Sequence, residues 1–306
     1  MSDLHQQLDR YLSLRRQLGY RLEEHGRLLP GFVEFATARG ESTVRTETAL
    51  MWAGQAQTDG RRARRLSMVR GLARHLTAFD PATQVPPLGL LPEGGARSTP
   101  HIFSEAEIDR LMWAATGLAP AALETAIATL IGLMAATGLR PRETRLLDRQ
   151  HVDLDGGQLT VWHSKHGRSR RLPLHPSTVA ALAGYAACRD RAHPDPHDPA
   201  YFLDANGGRL SAPALAQAFR QVREAAQITS RAGGRPARLG DLRHTFAVTT
   251  LLSWHQDGID VQQQLPALSA YMGHINPAQT YWYLQGTPEL MSVVAERLER
   301  CWEDAR

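Results

Sequence analysis

Lysine is almost absent from this chain: of 35 basic residues among its 306, only Lys165 is a lysine. Every other cation is an arginine, a planar group that stays protonated and does not hand over a proton at neutral pH. Cysteine is scarce too. Cys188 and Cys301 are too few and too far apart for a disulfide framework or a zinc site, and they point to a reducing, cytoplasmic setting. No apolar run approaches the roughly 20 residues that a membrane helix needs. The opening Met-Ser-Asp-Leu-His-Gln-Gln-Leu is polar and lacks the apolar stretch of a secretory signal. What is present suits a globular protein: 42% hydrophobic and 22% charged residues, at a length that leans towards two domains.

Charge is unevenly placed. Residues 1–100 hold 14 arginines and 10 acids, a net of +4; residues 101–306 hold 20 arginines, one lysine and 21 acids, a net of zero. A basic module joined to a neutral one suggests an electrostatic grip on nucleic acid. The excess is concentrated in Arg61, Arg62, Arg64, Arg65, Arg70 and Arg74, within fourteen residues that contain no acid. Leu66, Val69, Leu72 and Leu76 recur there at helical spacing. The segment therefore predicts a helix with one face on a core and arginines turned toward DNA phosphates; a solvated surface helix is the other reading. Before it, an apolar stripe from Leu4 to Phe35 predicts one or two helices over 4–38, broken at Gly19 and at Pro30-Gly31. Thr46 through Ala56 predicts another, with Leu50, Met51 and Trp52 inward. Prolines 81, 86, 87, 92 and 100, with Gly94 and Gly95, mark a linker. The expected domains are thus 1–95, all helical, and 96–306.

The second domain should begin with a helix from about 105 to 115, because Ser104 and Glu107 form a capping-box pattern. An Ala-rich helix over 121–136 should end at Gly138 as a left-handed cap. Pro141 then suits the first turn of a new helix, which holds Arg140 at a rigid junction. From Val152 to Leu174 the period changes to two. Leu159, Val161, Leu172 and Leu174 alternate with polar residues around an Asp155-Gly156-Gly157 turn, which predicts a small antiparallel sheet. Its second hairpin turns at residues 164–168, with Lys165 at the tip. Further on come a helix from 176, a Pro/Asp-rich loop to 200, a short buried strand at Tyr201-Phe202-Leu203, and helices over 211–228 and 246–254. The fold class is mainly α with a small antiparallel β-sheet.

The chemistry sits between Gly240 and Tyr283. The stretch opens Gly-Asp-Leu-Arg-His-Thr-Phe-Ala, with Arg243, and continues to Tyr-Met-Gly-His, with His274; Tyr283 follows nine residues later. A guanidinium, an imidazole and a phenol are a poor set for a peptide or a sugar. They suit a phosphodiester: arginine clamps phosphate oxygens with a planar fork, histidine donates a hydrogen bond and tyrosine attacks. These pieces in this order, preceded by Thr137-Gly-Leu-Arg140 and Glu143, resemble the tyrosine recombinase (phage integrase) family over roughly residues 100–306. The resemblance implies a helical DNA-clamping domain followed by an α+β catalytic domain. It assigns catalytic roles to Arg140, Arg243, His274 and Tyr283, a supporting carboxylate to Glu143, and the general acid to Lys165. It further implies cleavage and rejoining of double-stranded DNA through a 3′-phosphotyrosyl intermediate, with no cofactor or metal, by four protomers on two duplexes. Integration or excision of a mobile element, at the nucleoid, is the expected setting. The tail from Pro288 carries Leu290, Val294, Leu298 and Trp302 on one helical face; it packs onto a neighbouring subunit in family terms, or covers its own core.

Two departures stand out. The family's usual histidine three residues before the second arginine is Gly240 here, and residues 255–266 are longer than the family's usual connection. His244, His163, His166 or a water are the candidate substitutes for that histidine. Two rival readings follow: a type IB topoisomerase, which shares the chemistry, and a catalytically silent DNA-binding protein, which Gly240 favours.

Overall fold

The computed structural model describes residues 3–92, 99–162, 169–229, 235–274 and 280. The chain divides into two compact units, Met1–Ser98 and Thr99–Arg306. Unit 1 is built from α1 (Asp3–Gln17), α2 (Glu23–Thr37), α3 (Thr46–Gly54) and α4 (Asp59–Leu76). Leu4, Leu8, Leu29, Phe32, Val33, Trp52, Leu66, Val69 and Leu72 are buried together as its core. Gly19 ends α1 with φ +87°, a conformation that costs glycine little. The break expected at Pro30-Gly31 does not occur: α2 runs through Pro30. An interior proline costs about 3 kcal/mol. Burying Leu29, Phe32 and Val33 on the same helix returns roughly 1.5–3 kcal/mol each, and outweighs it.

Unit 2 is organised around α6 (Ala121–Thr137), whose Ala126, Ile127, Leu130, Ile131, Leu133 and Met134 are all buried. A helix apolar nearly all round must be covered on several sides. α5 (Glu105–Ala115), α8 (Pro176–Ala192) and α10 (Asp241–Gln256) cover it. The capping box at α5 is present as expected: Ser104 Oγ accepts from Glu107 N at 3.2 Å, and Glu107 Oε2 accepts from Ser104 N at 2.9 Å. The short α7 (Pro141–Arg145) follows α6, then a three-stranded antiparallel sheet in the order β1 (Val152–Asp153), β2 (Gln158–Val161), β3 (Arg170–Pro173). Leu159 pairs with Leu172 and Val161 with Arg170.

Tyr201-Phe202-Leu203 is buried as expected but is no strand. The segment and its neighbour Ala200 make isolated bridges only, Asp148 with Ala200 and Leu203 with Arg209. The chain turns back at once through Asp204 N to Gly208 O at 2.7 Å, and Leu203 N is taken by the Tyr185 hydroxyl at 3.1 Å, so no ladder can extend. After α9 (Ala212–Ala225), α10 leads to α11 (Val261–Met272). The long connection expected over 255–266 shrinks to residues 257–260. Asp260 caps α11 by accepting from Gln262 N and Gln263 N, and Pro266 lies inside the helix. Buried Val248 and Leu251 of α10 pack with Leu265, Leu268 and Met272 of α11, which holds these added residues as helix rather than loop. Among the described residues no helix is long and apolar enough to cross a membrane.

Candidate active site

The ends of α6 and α11, the start of α10 and the first residue of β3 meet at one place. α6 stops at Gly138, with φ +61°. A Cβ there would lie 2.5 Å from Phe246 Cδ1, so glycine is required both for the turn and for the close approach of α10. The freed Gly138 carbonyl accepts Arg243 Nη1 at 2.7 Å. Arg140, extended at φ −73° and ψ 145°, precedes Pro141 at the first position of α7.

Glu143 is the anchor behind Arg140. Its carboxylate accepts Arg140 N at 3.1 Å and Arg140 Nη1 at 2.8 Å, and its side chain is 6% exposed. A second guanidinium completes the set: Arg170 donates Nη1 to Oε1 at 3.2 Å and Nη2 to Oε2 at 2.9 Å. Burial opposes ionisation of Glu143, but the bidentate Arg170 and then Arg140 overcome it and hold the carboxyl at about 2. Arg170 also donates Nε to Tyr271 O at 2.8 Å, and it lies where a Cβ on Gly273 would be, 2.8 Å from its Nη1. Sequence reasoning missed Arg170. The signal was there: Arg170 shares the inward face of β3 with buried Leu172, and a charge at an inward position of a period-two pattern needs a partner.

Arg243 is 6% exposed at the start of α10. Besides Gly138 O, it donates Nη2 to Met272 O at 2.7 Å and to His274 Nε2 at 2.7 Å. Arg140 Nη1 reaches the same Met272 carbonyl at 3.5 Å, and its Nη2 reaches Gly273 O at 3.4 Å. The two guanidiniums therefore converge on one oxygen. His274 follows Gly273, the left-handed cap of α11 at φ +68°. Its Nδ1 lies 2.7 Å from Thr280 Oγ1. Burial first, then the charges of Arg243, Arg140 and Arg170, push the imidazole down to about 3; Glu143 opposes this only in part. The neutral form of His274 is therefore favoured at pH 7.

Four of the expected catalytic residues, Arg140, Glu143, Arg243 and His274, come together with Arg170 at this point. Lys165 and Tyr283 lie outside the described residues, as do Tyr281, His163, His166 and the tail from Pro288. Gly240 sits just before α10 in helical conformation, and an added Cβ would find only Pro141 Cγ, at 4.0 Å. A cleft of about 640 Å³ opens beside it, floored by Leu215 and Phe219 and edged by Arg142, Arg220 and Arg238. Among the described residues no group of three His, Cys, Asp or Glu side chains is placed to hold a metal.

The arginines of α4 divide. Arg62 donates to Ala56 O at 2.9 Å and to Asp59 at 3.0 Å. Arg64 pairs with Glu24 of α2. Arg65 lies 4.9 Å over the Trp52 ring and reaches Trp52 O. Arg70 is committed to Pro86 O at 2.7 Å and Pro87 O at 2.8 Å, which pins the following segment to the helix. Arg61 and Arg74 are exposed. The acid missing from this stretch of sequence is supplied by α2.

The Phage integrase family matches residues 101–289. A putative integrase/recombinase, y4rB of Sinorhizobium fredii (strain NBRC 101917 / NGR234), is 38% identical over 314 residues, covering 99% of both chains. The tyrosine recombinase XerC of Pseudomonas entomophila (strain L48) is 32% identical over 225 residues, 72% of this chain and 69% of that protein. Among solved structures, the Tn1549 transposon integrase in complex with transposon right end DNA superposes with a TM-score of 0.68 at 17% identity, over 96% of this chain and 98% of that one. A lambda integrase dimer bound to a COC′ core site gives 0.59 at 18%, over 92% and 76%. At such identities the structural likeness speaks for the fold.

Proposed function

Because the chain belongs to the phage integrase family, whose members are DNA strand transferases, we propose that it is a site-specific recombinase that cuts and rejoins DNA through a phosphotyrosyl bond at Tyr283. The observation that carries this reading is the convergence of Arg140 and Arg243 beside His274, with Glu143 held behind Arg140. Two preorganised guanidiniums, one buried and one partly exposed, next to a neutral imidazole are built to receive an anion whose charge grows in the transition state. Each such donor contributes about 3–4 kcal/mol to phosphoryl or acyl transfer.

Tyr283 attacks the scissile phosphate and leaves a free 5′-hydroxyl. Lys165 protonates the departing oxygen, a task that arginine cannot perform. A hydroxyl from another strand reverses the step, so the energy of the phosphodiester is kept in the covalent link and no nucleotide is consumed. Arg61 and Arg74 on α4, and the arginine-edged cleft beside Gly240, supply backbone phosphate contacts. Four protomers act on two duplexes. Integration or excision of a mobile element is in keeping with the 38% identical relative, an integrase/recombinase.

The target duplex is obtained by crosslinking the protein in cells and sequencing the attached DNA. A nicked suicide version of it then traps the covalent complex, and peptide mapping locates the modified residue. The link is expected at Tyr283 and is lost in Tyr283→Phe with DNA binding retained. A link at Tyr281, or one that survives Tyr283→Phe, refutes the assignment.

A further inference from the structure

Thr280 has no place in the scheme above, yet it is fully buried and touches two polar side chains. Its Oγ1 lies 2.7 Å from His274 Nδ1 and 2.6 Å from Ser269 Oγ. His274 N is itself held by Ser269 O at 2.9 Å. The opposite ring nitrogen faces Arg243 Nη2 at 2.7 Å. A guanidinium has only donors. His274 Nε2 must therefore accept, and a neutral imidazole whose Nε2 accepts carries its proton on Nδ1. That proton points at Thr280 Oγ1, which accepts it and also shares a hydrogen bond with Ser269 Oγ. The direction of the His274–Thr280 bond follows from a donor that cannot reverse.

We propose that Thr280 is a positioning residue, whose hydroxyl accepts the Nδ1 proton that Arg243 dictates, fixes the ring orientation of His274 and ties the chain three residues before Tyr283 to the arginine clamp. The catalytic consequence rests on the recombinase reading; the tautomer does not. A hydroxyl both donates and accepts, so Thr280 can follow His274 if a phosphate oxygen later takes the place of the arginine at Nε2. A methyl group in its place cannot serve either state. The segment that carries the nucleophile is thus linked to the residues that hold the phosphate through a side chain that contacts no substrate.

The test uses the full chain labelled with ¹⁵N-histidine, with the His274 resonances identified by their loss in His274→Gln. The unmodified protein at pH 7 should show protonated Nδ1 and unprotonated Nε2. A proton on Nε2 overturns the proposal without any variant having to fold. Thr280→Val should remove the hydrogen-bond partner of Nδ1 and move the Nδ1 resonance, and Thr280→Ser should preserve the parental spectrum; an unmoved Nδ1 resonance in Thr280→Val also overturns it. On the suicide duplex, Thr280→Val should slow single-turnover cleavage by about tenfold with DNA affinity unchanged, and Thr280→Ser should recover most of the rate. A parental rate in Thr280→Val removes the catalytic consequence. If no duplex is cleaved by the unmodified protein, the recombinase reading fails while the tautomer result stands.

Discussion

Removing Arg170 tests how the carboxylate behind Arg140 is held. In Arg170→Met the side chain keeps most of its length but loses the guanidinium. Glu143 is then left buried, with bonds only from Arg140 N and Arg140 Nη1. Stranding a buried carboxylate in this way costs about 3–5 kcal/mol. The depression of Glu143 from its ordinary 4.5 to about 2 supports that size. At 1.36 kcal/mol per pKa unit it corresponds to roughly 3 kcal/mol of stability at neutral pH. The sign follows from the direction. The folded value lies below the unfolded one, so this stability is present above about pH 4.5 and is lost as pH falls through the interval to 2. Urea unfolding followed by tryptophan fluorescence should place Arg170→Met about 3 kcal/mol below the parental chain at pH 7. The gap should narrow steadily from pH 5 to pH 2, because the variant's carboxyl is already protonated there. Equal stability at pH 7, or a gap that stays constant down to pH 2, would refute the account of Glu143 as an anion held by two arginines.

Lys165→Arg keeps the charge and removes the proposed proton donor. It should bind DNA normally and cleave slowly, and a duplex with a 5′-bridging sulfur, which leaves without a proton, should restore cleavage; parental cleavage of the ordinary duplex sinks the general-acid role. Gly240→His adds the group that most of the family carries, where a Cβ meets only Pro141 Cγ at 4.0 Å. A positioned acid–base group is worth a factor of about 10²–10⁴, so single-turnover cleavage should rise, most visibly below pH 8. An unchanged or lower rate in a folded, DNA-bound variant means that Gly240 is not a missing catalytic group.

The features legible in the sequence are those that physics decides within a few residues. Ser104 and Glu107 cap α5 because the cap closes over three positions. Gly138 and Pro141 place Arg140 at a helix junction because each acts on its own backbone dihedral. The order Arg140, Arg243, His274, Tyr283 pointed to the recombinase family because the residue types and their spacing together are specific, and the family match over residues 101–289 bears out the family. Other features depended on distant partners. Pro30 and Pro266 sit inside helices because burial elsewhere on those helices outweighs a local penalty. Arg64 looked unpaired because its partner, Glu24, is 40 residues away. Arg170 finds Glu143 across 27 residues, and Arg243 finds the Gly138 carbonyl across 105. A buried charge settles on whichever opposite charge or carbonyl the fold brings within 3 Å, and only the packing of α6, α10, α11 and β3 determines which one that is.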